Sequence, residues 1–316
     1  SRELVTLRQD VPLEMKLEDL ALHEPDSDQL LAFLVEQGFQ KMIAKLQLSP
    51  GDAPVAAVPV TADVGPQPAV PAPAPETNVA EYELVQTLDR LQAWVDEARS
   101  AGVFAVDTET TSLDSMRAEL VGVSMSIRGG KACYIPLAHV GAKPQGQLDL
   151  DGDAGADDAP EQIPMDQALD LLRPLLADRG VLKIGHNIKY DMEVLARYDV
   201  TVTPIDDTMI LSYVLEGGSH GHGLDELSML HFGHANIKYG VVAGTGKKQI
   251  GFAEVTLDKA LDYAAEDADM TARLHLALKS RLATEHMTTV YENIERALIP
   301  VLAEVERTGI KVDAAE

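Results

Sequence analysis

Cysteine is almost missing from this chain of 316 residues: Cys133 stands alone, which rules out an internal disulfide framework and suits a reducing compartment. Long apolar runs are missing too. Nothing approaches the roughly 18 residues that a membrane span needs, and no signal-peptide pattern opens the sequence, so a cytoplasmic protein without a membrane partner is expected. No internal repeat is present. Basic residues are scarce, 26 Lys and Arg against 51 Asp and Glu, giving a net charge of −25. At face value that argues against a nucleic-acid partner, because phosphate binders usually carry a basic footprint. Two features weaken the argument. Asp149 to Glu161 concentrates six carboxylates without a Lys or Arg, and a carboxylate cluster that binds metal turns locally electropositive once loaded. Net charge therefore does not settle the partner.

What is present has the composition of an ordinary soluble protein, 46% hydrophobic and 24% charged, and is long enough for one large domain or two smaller ones. Residues 1 to 48 begin abruptly. In them, Ser27 and Asp28 are placed to cap a helix that carries Leu30, Leu31, Phe33 and Leu34 and ends near Leu46. One helix cannot bury its own apolar face, so this segment is expected to be the tail of another domain. Residues 49 to 80 shift to Pro, Ala and Val and read as an extended interdomain linker.

From 81 to 285 strands and helices alternate. Tyr82 to Val85 reads as a strand, and Thr87 caps a helix with Leu88, Leu91, Trp94 and Val95 on one face. Strands follow at Val103 to Asp107, Glu119 to Ile127 and Lys131 to Ile135, the last two joined by a tight turn at Arg128-Gly-Gly130. After the acidic segment come a helix at Met165 to Ala177, a strand at Val181 to Ile184, and mostly helices. This order predicts an α/β fold, a mixed sheet flanked by helices. A further amphipathic helix over 287 to 308 has Ile294, Leu298, Val301, Leu302 and Val305 as its stripe and stops at Gly309.

Three stretches put carboxylates where apolar residues are expected. Val103-Phe-Ala-Val runs into Asp107-Thr-Glu109, and the i, i+2 spacing on a strand turns both acids to one side. In the helix after Asn187, the inward stripe is Ile188, Asp191, Leu195 and Tyr198, with Lys189, Glu193 and Arg197 on the wet face. In Leu261 to Leu274 the stripe is Tyr263, Asp267, Met270 and Leu274, while Asp262, Glu266, Asp269 and Arg273 follow another face. Taken singly, each has an ordinary explanation: a solvated turn for the Asp-x-Glu pair, a backbone cap or an Arg partner for each aspartate. Taken together they call for neutralisation, because an unpaired buried carboxylate is costly and no Arg or Lys accompanies these positions. Converging carboxylates suit Mg²⁺ or Mn²⁺, and two such ions could activate a water and stabilise the leaving oxygen of a phosphodiester.

Asp107-Thr-Glu109, Asn187-Ile-Lys-Tyr-Asp191 and Tyr263-Ala-Ala-Glu-Asp267 resemble the three exonuclease motifs of the DEDD superfamily in its Tyr-containing branch, and in particular the proofreading domains of bacterial DNA polymerases. The resemblance implies a ribonuclease H-like fold over 81 to 285, and a 3′-to-5′ exonuclease acting on a single-stranded or frayed 3′ end of DNA. Its flanks would be a partial helical segment at 1 to 48, from the end of a 5′ nuclease domain, and the helical start of a polymerase domain at 286 to 316. The chain would be a monomer in the nucleoid-associated cytosol. It further implies that Asp107, Glu109 and Asp267 hold one divalent ion, that Asp107 and Asp191 hold a second, and that Tyr263 orients the attacking water. Leu113 and Phe252 match positions that wedge against terminal bases, with core packing as their alternative role, and Asn187 would contact substrate. Two other readings stay open: an exoribonuclease of the ribonuclease D type, and a non-catalytic scaffold of the polymerase.

Other motifs fail on spacing. Asp149-Leu-Asp151-Gly-Asp153 opens like a calcium loop but has Ala154 at position 6 and Pro160 at position 12. Gly244-Thr-Gly246-Lys247 lacks the first Walker glycine, which is Val241. His220, His222, His231 and His234 span a glycine loop and a helix without a nearby Cys, a poor zinc pattern.

Overall fold

The computed structural model describes residues 27–36, 39, 42–43, 81–140 and 159–312, in two compact units, Ser1–Ala62 and Asp63–Glu316. The linker over 49–80 and most of the acidic segment lie outside the described residues. In the first unit, α1 (Ser27–Glu36) buries Leu34 and leaves Phe33 exposed.

The second unit is built on a six-stranded mixed sheet. Its strands are β1 (Glu81–Leu84), β2 (Val103–Thr110), β3 (Leu120–Arg128), β4 (Lys131–Pro136), β5 (Leu182–Gly185) and β6 (Ile205–Asp207), in the spatial order β1-β4-β3-β2-β5-β6. The central β2-β3-β4 meander is antiparallel, and the outer pairs β1/β4, β2/β5 and β5/β6 are parallel. A tight hairpin joins β3 to β4, where Gly130, at φ 83°, supplies the left-handed turn residue, and a longer loop over 111–119 joins β2 to β3.

Alternation along β2 assigns the two faces. Phe104 and Val106 join the large core formed with α2 (Leu88–Ala101) and α3 (Met165–Leu176), through Leu91, Trp94, Leu169 and Leu172. Ala105 faces the other way, onto Ile184 and Ala272 of α8 (Leu257–Lys279). Thr87 caps α2 as expected, but Leu88 is exposed rather than part of the stripe. It lies in the first turn, beyond the edge of the sheet-facing surface.

The helix α8 is buried on more sides than its sequence stripe suggests. Ala260, Ala264, Ala265, Ala268 and Ala272 are all buried, and these small side chains let its axis lie close to the sheet. Glu266 and Asp269, expected on a wet face, are buried as well. Each is paired: Glu266 accepts from the Ile237 amide at 2.6 Å, and Asp269 from the Gly130 amide at 2.7 Å and from Arg273 at 3.0 Å.

Between β5 and the end of the unit come α4 (Ile188–Ala196), α5 (Thr208–Glu216), α6 (Leu224–Phe232), α7 (Tyr239–Ala243), then α8, α9 (Arg281–Thr284) and α10 (Thr288–Val290). A π-helical turn, Tyr291–Glu295, leads into α11 (Arg296–Thr308). Glu193 of α4, expected on the wet face, is buried and accepts from Ser115 Oγ at 2.6 Å. The apolar stripe expected to bury α11 points outward: Ile294, Leu298, Val301, Leu302 and Val305 are exposed, whereas Tyr291, Ile299 and Ala303 turn inward. Ile299 belongs to the large core, so this segment packs with the same unit. Among the described residues no helix is long and apolar enough to cross a membrane.

Candidate active site

The site forms where β2 runs past its parallel neighbour. β5 pairs with β2 only through Val103, Phe104 and Ala105, so the backbone beyond has an open edge on that side. An unpaired buried amide is costly there. Asp191 satisfies it: Oδ1 accepts the Thr108 amide at 3.0 Å and the Thr108 hydroxyl at 2.5 Å.

Asp107 and Glu109 project toward α8, on the same side as Ala105. There Asp267 meets them, and one carboxylate oxygen from each of the three lies within 4.8 Å of the others. Asp191 is not part of this tight triad. It arrives on α4, whose Ile188, Val194 and Leu195 belong to the core on the opposite face of the sheet. Two helices on two faces of one sheet thus deliver their aspartates to the end of β2.

The electrostatics of these buried acids are unfavourable in the way expected for a cation-binding centre. Burial, then the charge of Asp191, pushes the Asp107 carboxyl well above the usual carboxylate range. Burial followed by Asp107 and Asp267 does the same to Glu109, and burial followed by Asp107 to Asp267. Asp191 is pushed up to about 7 by burial, against the lowering effect of Thr108. Oε1 of Glu109 is buried without a hydrogen-bond partner among the described residues. A set of hard oxygen donors, mutually repulsive and incompletely hydrogen-bonded, fits Mg²⁺ or Mn²⁺. No Lys or Arg takes the cation's place at these four carboxylates in the described ion pairs.

Tyr263 lies one turn before Asp267 on α8. Burial and the charges of Asp267, Glu109 and Asp107 all push its phenol upward, so it stays protonated at any working pH. Phe252 does not reach the surface: it is 1% exposed, packed edge-on to Tyr134 and 5.9 Å from Tyr263 by ring centroids. This burial matches the core-packing alternative for Phe252, with its ring against Tyr263. The ring at the rim is Tyr239, stacked on Phe252 at 6.3 Å and edge-on to Tyr263 at 6.2 Å. Leu113 is 98% exposed on the loop after β2, which removes the core-packing alternative for it. Asn187 is exposed and left-handed (φ 62°) at the start of α4, and its side chain makes no capping bond.

Three residues of the site were not legible as such in the sequence. Thr108 sits inside the Asp-x-Glu motif, where the outward alternation conceals its contact with Asp191. Tyr239 lies in a short helix with no motif. Asn236, buried, donates from Nδ2 to Asp267 at 3.4 Å, and only the fold brings it across.

A cluster of buried acids that fits a divalent cation, at the end of a ribonuclease H-like mixed sheet, is the arrangement of an exonuclease domain. Residues 82–283 match the family model described as 3′-5′ exonuclease. The chain belongs to that family. DNA polymerase I of Rhizobium leguminosarum is 47% identical over 241 residues, covering 73% of this chain and 23% of that protein. DNA polymerase I of Pseudomonas aeruginosa is 36% identical over 324 residues, covering 99% of this chain and 32% of that protein. Among solved structures, NrnC of Brucella melitensis superposes with a TM-score of 0.51 at 24% identity, over 74% of this chain and 97% of NrnC, which shows a shared fold. The chain thus spans about a quarter to a third of the length of these two curated relatives.

Proposed function

We propose that this chain is the proofreading part of a DNA polymerase I, hydrolysing the terminal phosphodiester at a single-stranded or frayed 3′ end of DNA and releasing 5′-mononucleotides. The observation that carries this reading is the convergence of Asp107, Glu109 and Asp267 beside Asp191 and Tyr263, within a matched 3′-5′ exonuclease domain. Asp107, Glu109 and Asp267 would hold one Mg²⁺ or Mn²⁺, and Asp107 with Asp191 a second. Bound there, the ions would supply charge stabilisation for the attacking and leaving oxygens.

The chain's own residues then have distinct tasks. Tyr263, always protonated, donates a hydrogen bond and holds the attacking water in line rather than removing its proton. Glu109, with one oxygen free of partners, is placed to accept from that water. Leu113, at the exposed rim, is placed to lie against the last base, a contact indifferent to sequence, and Asn187 exposes its amide beside the path to Asp191. Retention of all four acids favours an enzyme over a scaffold. Polymerase and 5′ nuclease domains of the same parent chain would be its partners, and the bacterial cytosol its location.

A 5′-labelled oligonucleotide incubated with Mn²⁺, Mg²⁺ or EDTA tests the reading. A ladder shortening from the 3′ end with either metal, lost in EDTA and in Asp107→Ala, is expected. Degradation that persists in EDTA would sink it, and faster digestion of RNA than of DNA would move the substrate to the ribonuclease D type.

A further inference from the structure

Asp191 works only if α4 starts in the right place, and α4 has no N-terminal cap of its own. Asn187 makes no side-chain capping bond, and the turn before it is so tight that a Cβ on Gly185 would lie 2.6 Å from Ile188 Cβ. The missing acceptor comes from the end of β6. Oδ2 of Asp207 accepts the Ile188 amide at 2.8 Å, and Oδ1 accepts Asn187 at 3.2 Å, Met209 at 2.8 Å and Ile210 at 3.2 Å. One buried carboxylate thus caps two helices: α5, which it begins, and α4, which begins 19 residues earlier in the chain. Four amide donors at two positive helix ends satisfy a carboxylate well and a neutral amide poorly.

Asp207 is itself held in place. Its amide donates to Tyr291 Oη at 2.9 Å, and that hydroxyl donates to Asp206 Oδ1 at 3.2 Å. Asp206, fully buried, accepts from His275 Nε2 at 2.7 Å and pairs with Lys279 at 2.9 Å and Arg296 at 3.4 Å. The Asp206 carboxylate is therefore bound to α8, which carries Asp267, and to the C-terminal segment, which Asp207 meets through its amide. At its far end that segment meets α4 again through the ion pair of Glu306 with Lys189.

We infer that Asp207 is a positioning residue for Asp191, fixing the start of α4 for the second divalent ion, and that Tyr291 of the C-terminal segment keeps Asp207 in register. Neither residue touches the reacting atoms. The inference rests on the proposed metal role of Asp191.

Calorimetric titration of the whole chain with Mn²⁺, without DNA, tests it independently of turnover. The wild-type protein is expected to bind two ions stepwise. Asp207→Asn should keep the tighter step, which depends on Asp107, Glu109 and Asp267, and weaken the looser step by about 10- to 100-fold. Asp191→Asn should lose the looser step altogether. Tyr291→Phe removes one hydroxyl from the seat of Asp207 and should weaken the same step by less; it decides the matter if Asp207→Asn does not fold. A folded Asp207→Asn or Tyr291→Phe protein with wild-type affinity at both steps would overturn the inference alone. A wild-type protein that binds no Mn²⁺ would overturn the proposed function, and this inference with it.

Discussion

Thr108 gives both of its donors, the backbone amide at 3.0 Å and the hydroxyl at 2.5 Å, to a single oxygen of Asp191. This contact fastens α4 to the strand that carries Asp107 and Glu109. Thr108→Val keeps the shape of the side chain and removes the hydroxyl. It is expected to leave the protein folded and to lower the exonuclease rate by about 10- to 100-fold, as loss of a group that orients a ligand does. Because the hydroxyl lowers the Asp191 carboxyl, which burial pushes up to about 7, the acid limb of the pH–rate profile should also move to higher pH. An unchanged profile with an unchanged rate would make Thr108 a packing residue only.

Tyr263 separates two mechanisms. Burial and the charges of Asp267, Glu109 and Asp107 push its phenol above the ordinary tyrosine value, which favours an oriented donor over a phenolate base. Tyr263→Phe should therefore lower kcat by about 10²- to 10³-fold, the usual cost of one preorganised donor. KM and Mn²⁺ affinity should change little. No basic limb attributable to Tyr263 should be present in the wild-type profile, and steady-state kinetics from pH 6 to 10 checks this.

The strands, their hairpin and the apolar side of α2 were legible in the sequence because alternation and 3.6-residue periodicity report burial directly. Asp107, Glu109, Asp191 and Asp267 stood out for the same reason, as acids at positions the pattern reserves for apolar groups. Glu193, Glu266 and Asp269 escaped because their partners, Ser115, Ile237 and Gly130, are far away in sequence and a local pattern cannot see them. The stripe of α11 misled for the opposite reason. Its outward apolar residues outnumber the inward ones, and only the packing of Tyr291 and Ile299 shows which side is covered. Asp207 carried no signal of its second role, since the other helix it caps follows a neighbouring strand, β5.

Leu113 and Phe252, alike in the sequence as apolar residues near the motifs, should behave in opposite ways. Leu113 is 98% exposed, so Leu113→Ala should leave stability within about 0.5 kcal/mol of wild type. It should weaken binding of a single-stranded 3′ end, by up to about 1.5–3 kcal/mol where a base fully covers the side chain. Phe252→Ala opens a cavity among Tyr134, Tyr239 and Tyr263 and should cost about 3–5 kcal/mol of stability. Urea denaturation gives the first quantity, and fluorescence anisotropy on an Asp107→Ala background gives the second. Equal loss of stability in both variants would contradict the assignment.

Metal should stabilise the protein in a pH-dependent way, and its direction follows from the raised carboxyls. Burial lifts Asp191 from 3.8 to about 7 and moves Asp107, Glu109 and Asp267 the same way. The folded protein then binds more protons than the unfolded chain, so this contribution is fully present below the unfolded values and is lost as pH rises through the folded ones. His186, which burial lowers from 6.5 to about 4, acts oppositely: its contribution grows as pH rises over that interval. The absolute melting curve mixes both trends, whereas the difference between Mg²⁺ and EDTA isolates the acids, because His186 contributes equally to both. Protons compete with the ion for the carboxylates, so the Mg²⁺-induced rise in Tm should be small at pH 5 and increase toward pH 8. At 100-fold excess over Kd, one ion contributes about 2.7 kcal/mol. That corresponds to roughly 5–11 °C for a domain of this size. Differential scanning fluorimetry at pH 5, 6, 7 and 8 measures it; a rise independent of pH, or one retained in Asp107→Ala, would place the ion elsewhere.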